Sequence, residues 1–115
     1  MTDNPDGRTL VVNLFRLRPG VLPSRFAEFS GTVDQPRCLA HPTVVTHFDA
    51  YLVGGPTAEA LDADVVEVME VSDWPSWVQL RDSDPSLAPV LAGFDELVDP
   101  SSVRSSFVTP IRRAQ

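Results

Sequence analysis

The residues best suited to acid–base chemistry lie inside predicted strands and outside any recognised catalytic motif. His47 falls in the run TVVTHFDAYLV, where its neutral imidazole can move a proton near neutral pH, with Val45 and Asp49 expected on the same face. Glu67 falls in the run DVVEVMEV with Met69 on its own face. Partial desolvation there would raise the pKa of Glu67 and suit it to general acid or base catalysis. Both residues are therefore candidates for proton transfer.

Each of these two side chains also has a structural interpretation. His47 could be a half-exposed strand residue that is hydrogen-bonded to the backbone or to Asp49. Glu67 could reach solvent at a sheet margin or pair with Arg16 across strands. Glu70 is expected to point to the opposite face of its strand, so only one of the two glutamates can face a given cleft.

Asn13 and Arg16 are the only strongly polar residues in the first apolar run, TLVVNLFRL, and Asn13 is the uncharged one. If the first and third strands are neighbours in the sheet, Asn13 and Glu67 face one cleft. An amide in that position could hold a carbonyl or enol oxygen of a ligand. The alternative is a buried polar group that is satisfied by its protein neighbours. The candidate catalytic residues are thus His47, Glu67 and Asn13.

Aromatic residues near both predicted helix starts could form the walls of a ligand cleft. Trp74 and Trp77 flank Pro75, and Phe26 and Phe29 recur at helical spacing. Such walls suit a flat aromatic ligand. The alternative is core packing, which is favoured for the two phenylalanines and explains one of the tryptophans equally well. Asp34 is expected at the end of the first helix, where it could reach the cleft mouth or remain a solvated carboxylate.

The composition excludes several functional classes. Nine Lys and Arg residues against sixteen Asp and Glu residues give a net charge of -7, which works against sequence-independent binding of nucleic acid. No apolar run approaches the length of a membrane span, the first residues contain no apolar leader, and Cys38 has no second cysteine with which to pair. We therefore expect a cytoplasmic protein that binds neither nucleic acid nor membranes.

Motifs for common cofactors are also missing from the sequence. It contains no Gly-rich phosphate loop, no metal-ligand spacing and no nucleophile elbow. These absences predict a protein that uses no cofactor and no metal.

The elements that must position these residues can be placed from the apolar runs and the eleven prolines. Strands are predicted at Thr9–Leu17, Thr43–Val53, Asp64–Val71 and Val103–Ile111. One helix is predicted to begin at Pro23 and to kink or end at Pro36. The other begins at Trp74, capped by Ser72 or Asp73, and restarts at Asp84 before ending at Val98. Residues 38–42 and 57–62 are predicted to be loops.

The resulting order, β-α-β-β-α-β, is typical of the ferredoxin-like fold. It predicts an α+β class protein with a four-stranded antiparallel sheet and two helices on one face. At 115 residues the chain is expected to form a single domain, residues 1–115, with an ordered core of about 9–111.

Both faces of the predicted first and third strands are apolar. Leu10, Val12 and Leu14 lie on one side of the first strand, and Val11 and Phe15 lie on the other. Because helices are available for only one face, a second layer must cover the rest, and a homodimer formed through the sheet face would supply it. A long loop over that face is the alternative.

Several segments resemble the RedY-like (HapK-like) proteins. These segments are NLFRLRPGV in the first strand, VDQP after the first helix, HPTVVTHF and VVEVMEVSD. The family belongs to the dimeric α/β-barrel superfamily and occurs in the tailoring of prodigiosin-type and bisindole natural products. The resemblance implies a two-fold barrel made from two sheets, with a ligand cleft between helices and sheet in each subunit. Leu22 departs from it, since an Asp would be expected there before Pro23.

This resemblance favours a cofactor-independent enzyme of secondary metabolism, a cyclase or isomerase that acts on a small indole- or pyrrole-derived aromatic intermediate. His47 and Glu67 would then move a proton, Asn13 would orient the substrate, and the two tryptophans would stack on it. A cofactor-free monooxygenase of an electron-rich aromatic and a non-catalytic dimeric ligand-binding protein are the alternatives.

Overall fold

The four predicted strands form one antiparallel sheet. The computed structural model describes residues 8–114, apart from the side chains of residues 57 and 58. In this range the strand order is β2-β3-β1-β4, with β1 at Thr9–Phe15, β2 at Val45–Leu52, β3 at Val65–Val71 and β4 at Arg104–Val108. The two most apolar strands, β1 and β3, are therefore neighbours at the centre of the sheet. An isolated bridge between Leu17 and Val98 follows the end of β1.

Helices connect the strands and provide the second layer of the fold. They comprise α1 at Pro23–Phe29, a π-helical turn at Ser30–Asp34, α2 at Gln35–Leu39, α3 at Gly55–Leu61, α4 at Trp74–Ser83, a 3₁₀ turn at Pro85–Leu87 and α5 at Ala88–Leu97. Asp73 caps α4, because its carboxylate accepts from the backbone N–H of Ser76 at 2.8 Å.

Of the two outcomes predicted at Pro36, a kink or an end, the structure excludes the end, and the loop predicted from Cys38 is wrong because Cys38 lies in helix α2. The helix continues through the π-helical turn to Leu39, and the backbone N–H of Gln35 donates to the carbonyl of Ser30, five residues back. Pro36 then lies in the first turn of α2, where a missing N–H costs no intrahelical hydrogen bond. The extra residue of the wide turn therefore accommodates the proline.

The predicted polar loop after β2 is also wrong, because most of it forms helix α3. The sequence AEAL of this segment has high helix propensity, and a proline precedes it near the helix start. Asp62 follows the helix with φ of 51°, a left-handed conformation that commonly ends helices.

The core lies between the helices and one face of the sheet. Every second residue of β1 and β3 points into it, and Val11, Phe15 and Val65 have no exposed surface. Phe26 and Leu87 contribute from the helical layer and are almost equally inaccessible to water. Glu67 takes the inward position between Val65 and Met69 on β3, so a carboxyl group lies within an otherwise apolar layer.

We use the name open face for the other side of the sheet. Its side chains are half-buried or exposed, and those of the two central strands are almost all aliphatic. The open face consists of Leu10, Val12, Leu14, His47, Asp49, Tyr51, Val66, Val68, Glu70, Arg104, Ser106 and Val108.

Candidate active site

A cavity of about 380 Å³ lies between the helical layer and the sheet. All four strands, the π-helical turn, α4 and α5 contribute to its wall. The polar side chains that line it are Asn13, Asp34, Glu67, Arg81, Asp82 and Ser105. The apolar ones are Phe15, Phe48, Met69, Trp74, Trp77, Val90, Leu91, Phe94 and Val103. A concave, mostly apolar site with a few polar groups is the usual form of a small-molecule site.

Glu67 is held in this cavity by a chain of hydrogen bonds across three strands. Because β1 pairs with β3 in antiparallel register, Asn13 lies directly opposite Glu67, and Asn13 Nδ2 donates to Glu67 Oε1 at 3.4 Å. On the other side, Ser105 Oγ of β4 donates to Asn13 Oδ1 at 2.7 Å. Ser105 thereby fixes the orientation of the amide, so that its N–H group points at the carboxyl group.

Asp34 reaches the same cavity from the helical layer. It is the last residue of the π-helical turn, and it is 2% exposed, as is Glu67. Cys38, which lies in α2, donates its S–H to Asp34 Oδ1 at 3.5 Å. Single π-helical turns within α-helices occur frequently at functional sites, and here the turn carries an inward-pointing carboxyl group.

Burial makes both carboxyl groups hold their protons more tightly than usual. Burial raises the pKa of Asp34 from 3.8 to about 6, although hydrogen bonds from Cys38 and Glu67 lower it. Burial first, and then the negative charge of Asp34, raise the pKa of Glu67 well above 4.5. The same burial raises the pKa of the Cys38 thiol, so Cys38 remains a neutral donor. Pairs of carboxyl groups with separated pKa values are typical of acid–base sites.

Aromatic rings from both the sheet and the helices form much of the remaining cavity wall. Trp74 and Trp77 lie one turn apart on α4, and both line the cavity together with Phe15, Phe48 and Phe94. Trp74 also packs edge-on against Phe107 of β4, with ring centroids 5.1 Å apart. Flat apolar walls of this kind suit an aromatic ligand.

The structure does not bring His47 to the cavity. The pairing of β2 with β3 shifts register between Val45 and His47, so the two residues lie on opposite faces and the predicted shared face is wrong. Val45 is buried in the core, whereas His47 is exposed on the open face beside Glu70. A catalytic role for His47 thus has no support from its position.

Phe26 and Phe29 also lie away from the cavity. Both are buried in a core cluster with Phe15 and Phe94, where the rings pack edge-on. Among the predicted site residues, the structure therefore assembles Asn13, Asp34, Glu67, Trp74 and Trp77.

Sequence reasoning missed Ser105, Arg81 and several of the apolar lining residues. The pairing of β4 with β1 sets Ser105 opposite Asn13, and this register could not be derived from the last strand alone. Phe94 belongs to the predicted apolar stripe of the last helix, but periodicity does not distinguish a cavity wall from a core.

The described residues contain no group of three or more side chains that could hold a metal ion. Within residues 8–114, no helix is long and apolar enough to cross a membrane.

Solved structures with the same fold include proteins of several kinds. HapK from Hahella chejuensis superposes with a TM-score of 0.68 at 16% identity, over 93% of this chain and 98% of that chain. SnoaB from Streptomyces nogalater, a cofactor-independent oxygenase, superposes with a TM-score of 0.66 at 11% identity, over 93% of this chain and 96% of that chain. A dimeric ferredoxin-like protein of unknown function from Thermobifida fusca superposes with a TM-score of 0.65 at 15% identity, over 88% of this chain and 89% of that chain. These likenesses establish the ferredoxin-like fold.

The family assignment comes from sequence. A search of curated protein sequences found no match. A family model for the REDY-like protein HapK, however, matches residues 9–110, which is most of the chain and includes every strand and helix described above. The protein therefore belongs to the REDY-like HapK family.

Proposed function

We propose that this protein is a cofactor-independent tailoring enzyme of the cyclase or isomerase type, which moves a proton on an aromatic intermediate. The observation that carries the proposal is the position of Glu67. This carboxyl group is buried and faces an apolar cavity with aromatic walls. Burial raises its pKa above the ordinary value, as is common for general acids and bases.

Each of the assembled residues has a part in such a reaction. Glu67 exchanges a proton with the substrate, and Asn13 orients Glu67 through its amide N–H. Trp74 and Trp77 stack on the substrate and restrain a reactive intermediate in one conformation. Membership of the HapK family and the aromatic walls together favour an indole- or pyrrole-derived substrate.

A cofactor-free monooxygenase is the second candidate function, because SnoaB shares the fold and is a cofactor-independent oxygenase. An electron-rich aromatic substrate can itself supply electrons to dioxygen. The two reactions differ in product mass, so incorporation of oxygen from labelled dioxygen would favour the oxygenase, and its absence would favour the cyclase or isomerase.

We also propose that the protein acts as a homodimer formed through the open face. The aliphatic side chains of β1 and β3 on this face need a cover that a second copy can provide. Related folds from Thermobifida fusca and Bacteroides fragilis are described as dimeric.

The test of function compares two strand variants that preserve side-chain size. Purified protein is incubated with indole- and pyrrole-derived intermediates, and the products are separated and identified by mass. Glu67→Gln should lower turnover about 10²- to 10⁴-fold, the usual contribution of a general acid or base. His47→Gln serves as the matched control, and it should leave the rate intact because His47 lies outside the cavity.

Two outcomes would contradict the proposal. If wild-type protein binds these compounds but leaves every product distribution unchanged, the protein is a ligand-binding protein. If His47→Gln is folded and inactive while Glu67→Gln retains full turnover, proton transfer belongs to the histidine.

A further inference from the structure

Asp34 and Glu67 each present one unsatisfied oxygen within the same cavity. One oxygen of each group has a protein donor, Cys38 for Asp34 Oδ1 and Asn13 for Glu67 Oε1. Asp34 Oδ2 and Glu67 Oε2, by contrast, are buried, and neither has a hydrogen-bond partner among the described residues while both carboxyl groups are ionised. Buried polar atoms without partners are rare in folded proteins, so this pair requires an explanation.

Among the described residues that line the cavity, no unpaired cation is available to neutralise two negative charges. Arg81 lines the cavity, but its guanidinium Nε is 2.9 Å from Asp82 Oδ1, so a carboxylate already accompanies it. Cys38, the titratable neighbour from α2, is neutral. The lining residues of α5 and β2, within the described chain, are apolar. Asp34 and Glu67 are near enough to hydrogen-bond to each other, so two ionised carboxylates in these buried positions would repel each other strongly.

A single proton resolves both problems, because it neutralises one carboxyl group and forms a hydrogen bond to the other. We infer that Asp34 and Glu67 share one proton at neutral pH and act as a single acid–base unit. In this unit Asp34 is a positioning residue that controls the protonation of Glu67, and Glu67 is the residue that exchanges the proton with a ligand. The exchange step rests on the proposed function, whereas the shared proton does not.

The separate environments of the two groups indicate where the proton resides. Asp34 accepts the hydrogen bond and has a pKa of about 6, whereas the pKa of Glu67 is raised well above its ordinary value. Asp34 is therefore the first of the two to ionise, and Glu67 is the group that keeps the proton. The arrangement follows the general rule that two adjacent carboxyl groups do not both ionise in the same range.

This protonation state defines a class of reaction. Glu67 can give its proton to a basic atom of a bound aromatic, such as an imine nitrogen or a carbonyl oxygen. Its carboxylate then lies beside ionised Asp34, and this repulsion makes it a strong base that removes a proton from a neighbouring carbon or nitrogen of the same ligand. The net change is a proton shift within the ligand. Protons balance, and no oxidant or co-reactant is needed.

The test requires no ligand. The side-chain carboxyl carbons are labelled with ¹³C in the whole protein, and their chemical shifts are followed by NMR as pH changes. Wild type should show two separate steps for the pair, with one proton bound between them. Asp34→Asn should move the remaining Glu67 step to lower pH, because the neighbouring negative charge is gone. Glu67→Gln should remove the higher step.

Glu70→Gln is the matched control, because Glu70 lies on the same strand but on the open face, where Thr46 Oγ1 donates to it at 2.6 Å. It should leave both steps of the pair unchanged. The inference is overturned if Glu67 titrates at its ordinary value in wild type, or if its titration is the same in folded Asp34→Asn. If Asp34→Asn does not fold, the comparison of wild type with Glu67→Gln decides. The inference is then overturned if the titration of Glu67→Gln lacks none of the steps that wild type shows at raised pH.

A kinetic measurement separates this inference from the proposed function. Asp34→Asn should shift the pH dependence of turnover in the same direction as the NMR step, while a merely structural role would lower the amount of folded protein without shifting the profile. Two NMR steps without any turnover would uphold the shared proton and reject the enzyme.

Discussion

Glu67 occupies an inward position that β3 otherwise fills with Val65, Met69 and Val71. A carboxyl group in that layer loses hydration, and only part of the loss is regained through the hydrogen bond from Asn13. Residues at functional sites commonly carry such a cost, since the environment that destabilises the ionised group is the one that makes it reactive.

Stability should therefore depend on pH in a direction opposite to that of ordinary surface carboxylates. A folded-state pKa above the unfolded value means that the folded protein binds the proton more tightly. The stability that Asp34 contributes is complete below about pH 3.8 and is lost as pH rises through about 6, a change of about 3 kcal/mol. Glu67 acts in the same direction, from about 4.5 upward through its raised pKa.

The variant Glu67→Gln isolates this effect. The amide that replaces the carboxyl group never ionises, so the free energy of unfolding of the variant should increase relative to wild type as pH rises from about 5 to about 8. Urea denaturation at a series of pH values measures the difference. The exposed capping carboxylates, whose pKa values are lowered, are common to both proteins and cancel. Parallel curves for the two proteins would show that ionisation of Glu67 does not affect stability.

The sequence predicts part of this site, for reasons that differ between residues. Asn13 and Glu67 could be placed in one cleft because alternation along strands and the β1–β3 pairing determine their direction. The inward direction of the Asp34 side chain could not be predicted, because it depends on one extra residue in a helical turn. His47 was misplaced by a single register shift in β2, and one such shift reverses the face of every residue beyond it.

At the scale of elements, helix α5 packs closely against α1 because Gly93 has no side chain. A Cβ atom built on Gly93 would overlap the ring of Phe29. Phe29 is buried, and its ring also packs against Phe94 at a centroid distance of 6.4 Å. The ring therefore has little room to move, and the approach of the two helices depends on this glycine.

Gly93→Ala should lower the free energy of unfolding by about 1–3 kcal/mol, the usual cost of overpacking a core. Gly31→Ala is the matched control. It lies in the π-helical turn with open space around its Cβ position, and it should change stability little or raise it by up to about 1 kcal/mol through helix propensity. Chemical denaturation of both variants checks the pair. Equal effects of the two substitutions would contradict the close approach.

The elements themselves were mostly predictable, and the two exceptions share a cause. The kink or end at Pro36 and the loop at the segment that forms α3 were predicted from a local rule, in which proline or polar residues indicate the end of an element. In both places the chain continues as helix, since a wide turn accommodates Pro36 and strong helix formers follow Pro56. In both places the residues around the predicted helix or strand end favour helix more strongly than the proline or polar residues oppose it.

At the scale of the whole molecule, the sheet has two dissimilar sides. Helices cover one side, and the open face carries aliphatic residues at its centre with polar residues towards the edge strands, where His47, Asp49 and Arg104 lie. An apolar centre with a polar rim is the usual composition of a protein interface. The apolar character of both strand faces was visible in the sequence, and the same pattern supports the proposed homodimer.

A charge at the centre of the open face should prevent dimer formation. Val68 is half-buried on the central strand β3 and faces away from the cavity. Wild-type protein should sediment as a dimer, and Val68→Glu should sediment as a folded monomer, because each subunit would have to bury a carboxylate in an apolar interface. The matched control is Ala92→Glu, which adds the same charge at an exposed position of helix α5 and should remain dimeric. A wild type that sediments as a monomer would reject the proposed dimer.

The distribution of aromatic residues gives the protein two separate optical reporters. Its only two tryptophans, Trp74 and Trp77, both line the cavity, while its single tyrosine, Tyr51, lies 55% exposed on the open face. Emission excited selectively from tryptophan therefore originates at the cavity wall alone, and the tyrosine signal originates at the opposite side of the sheet. Ligand entry and subunit association can consequently be followed at the same time in the unlabelled, unmodified chain.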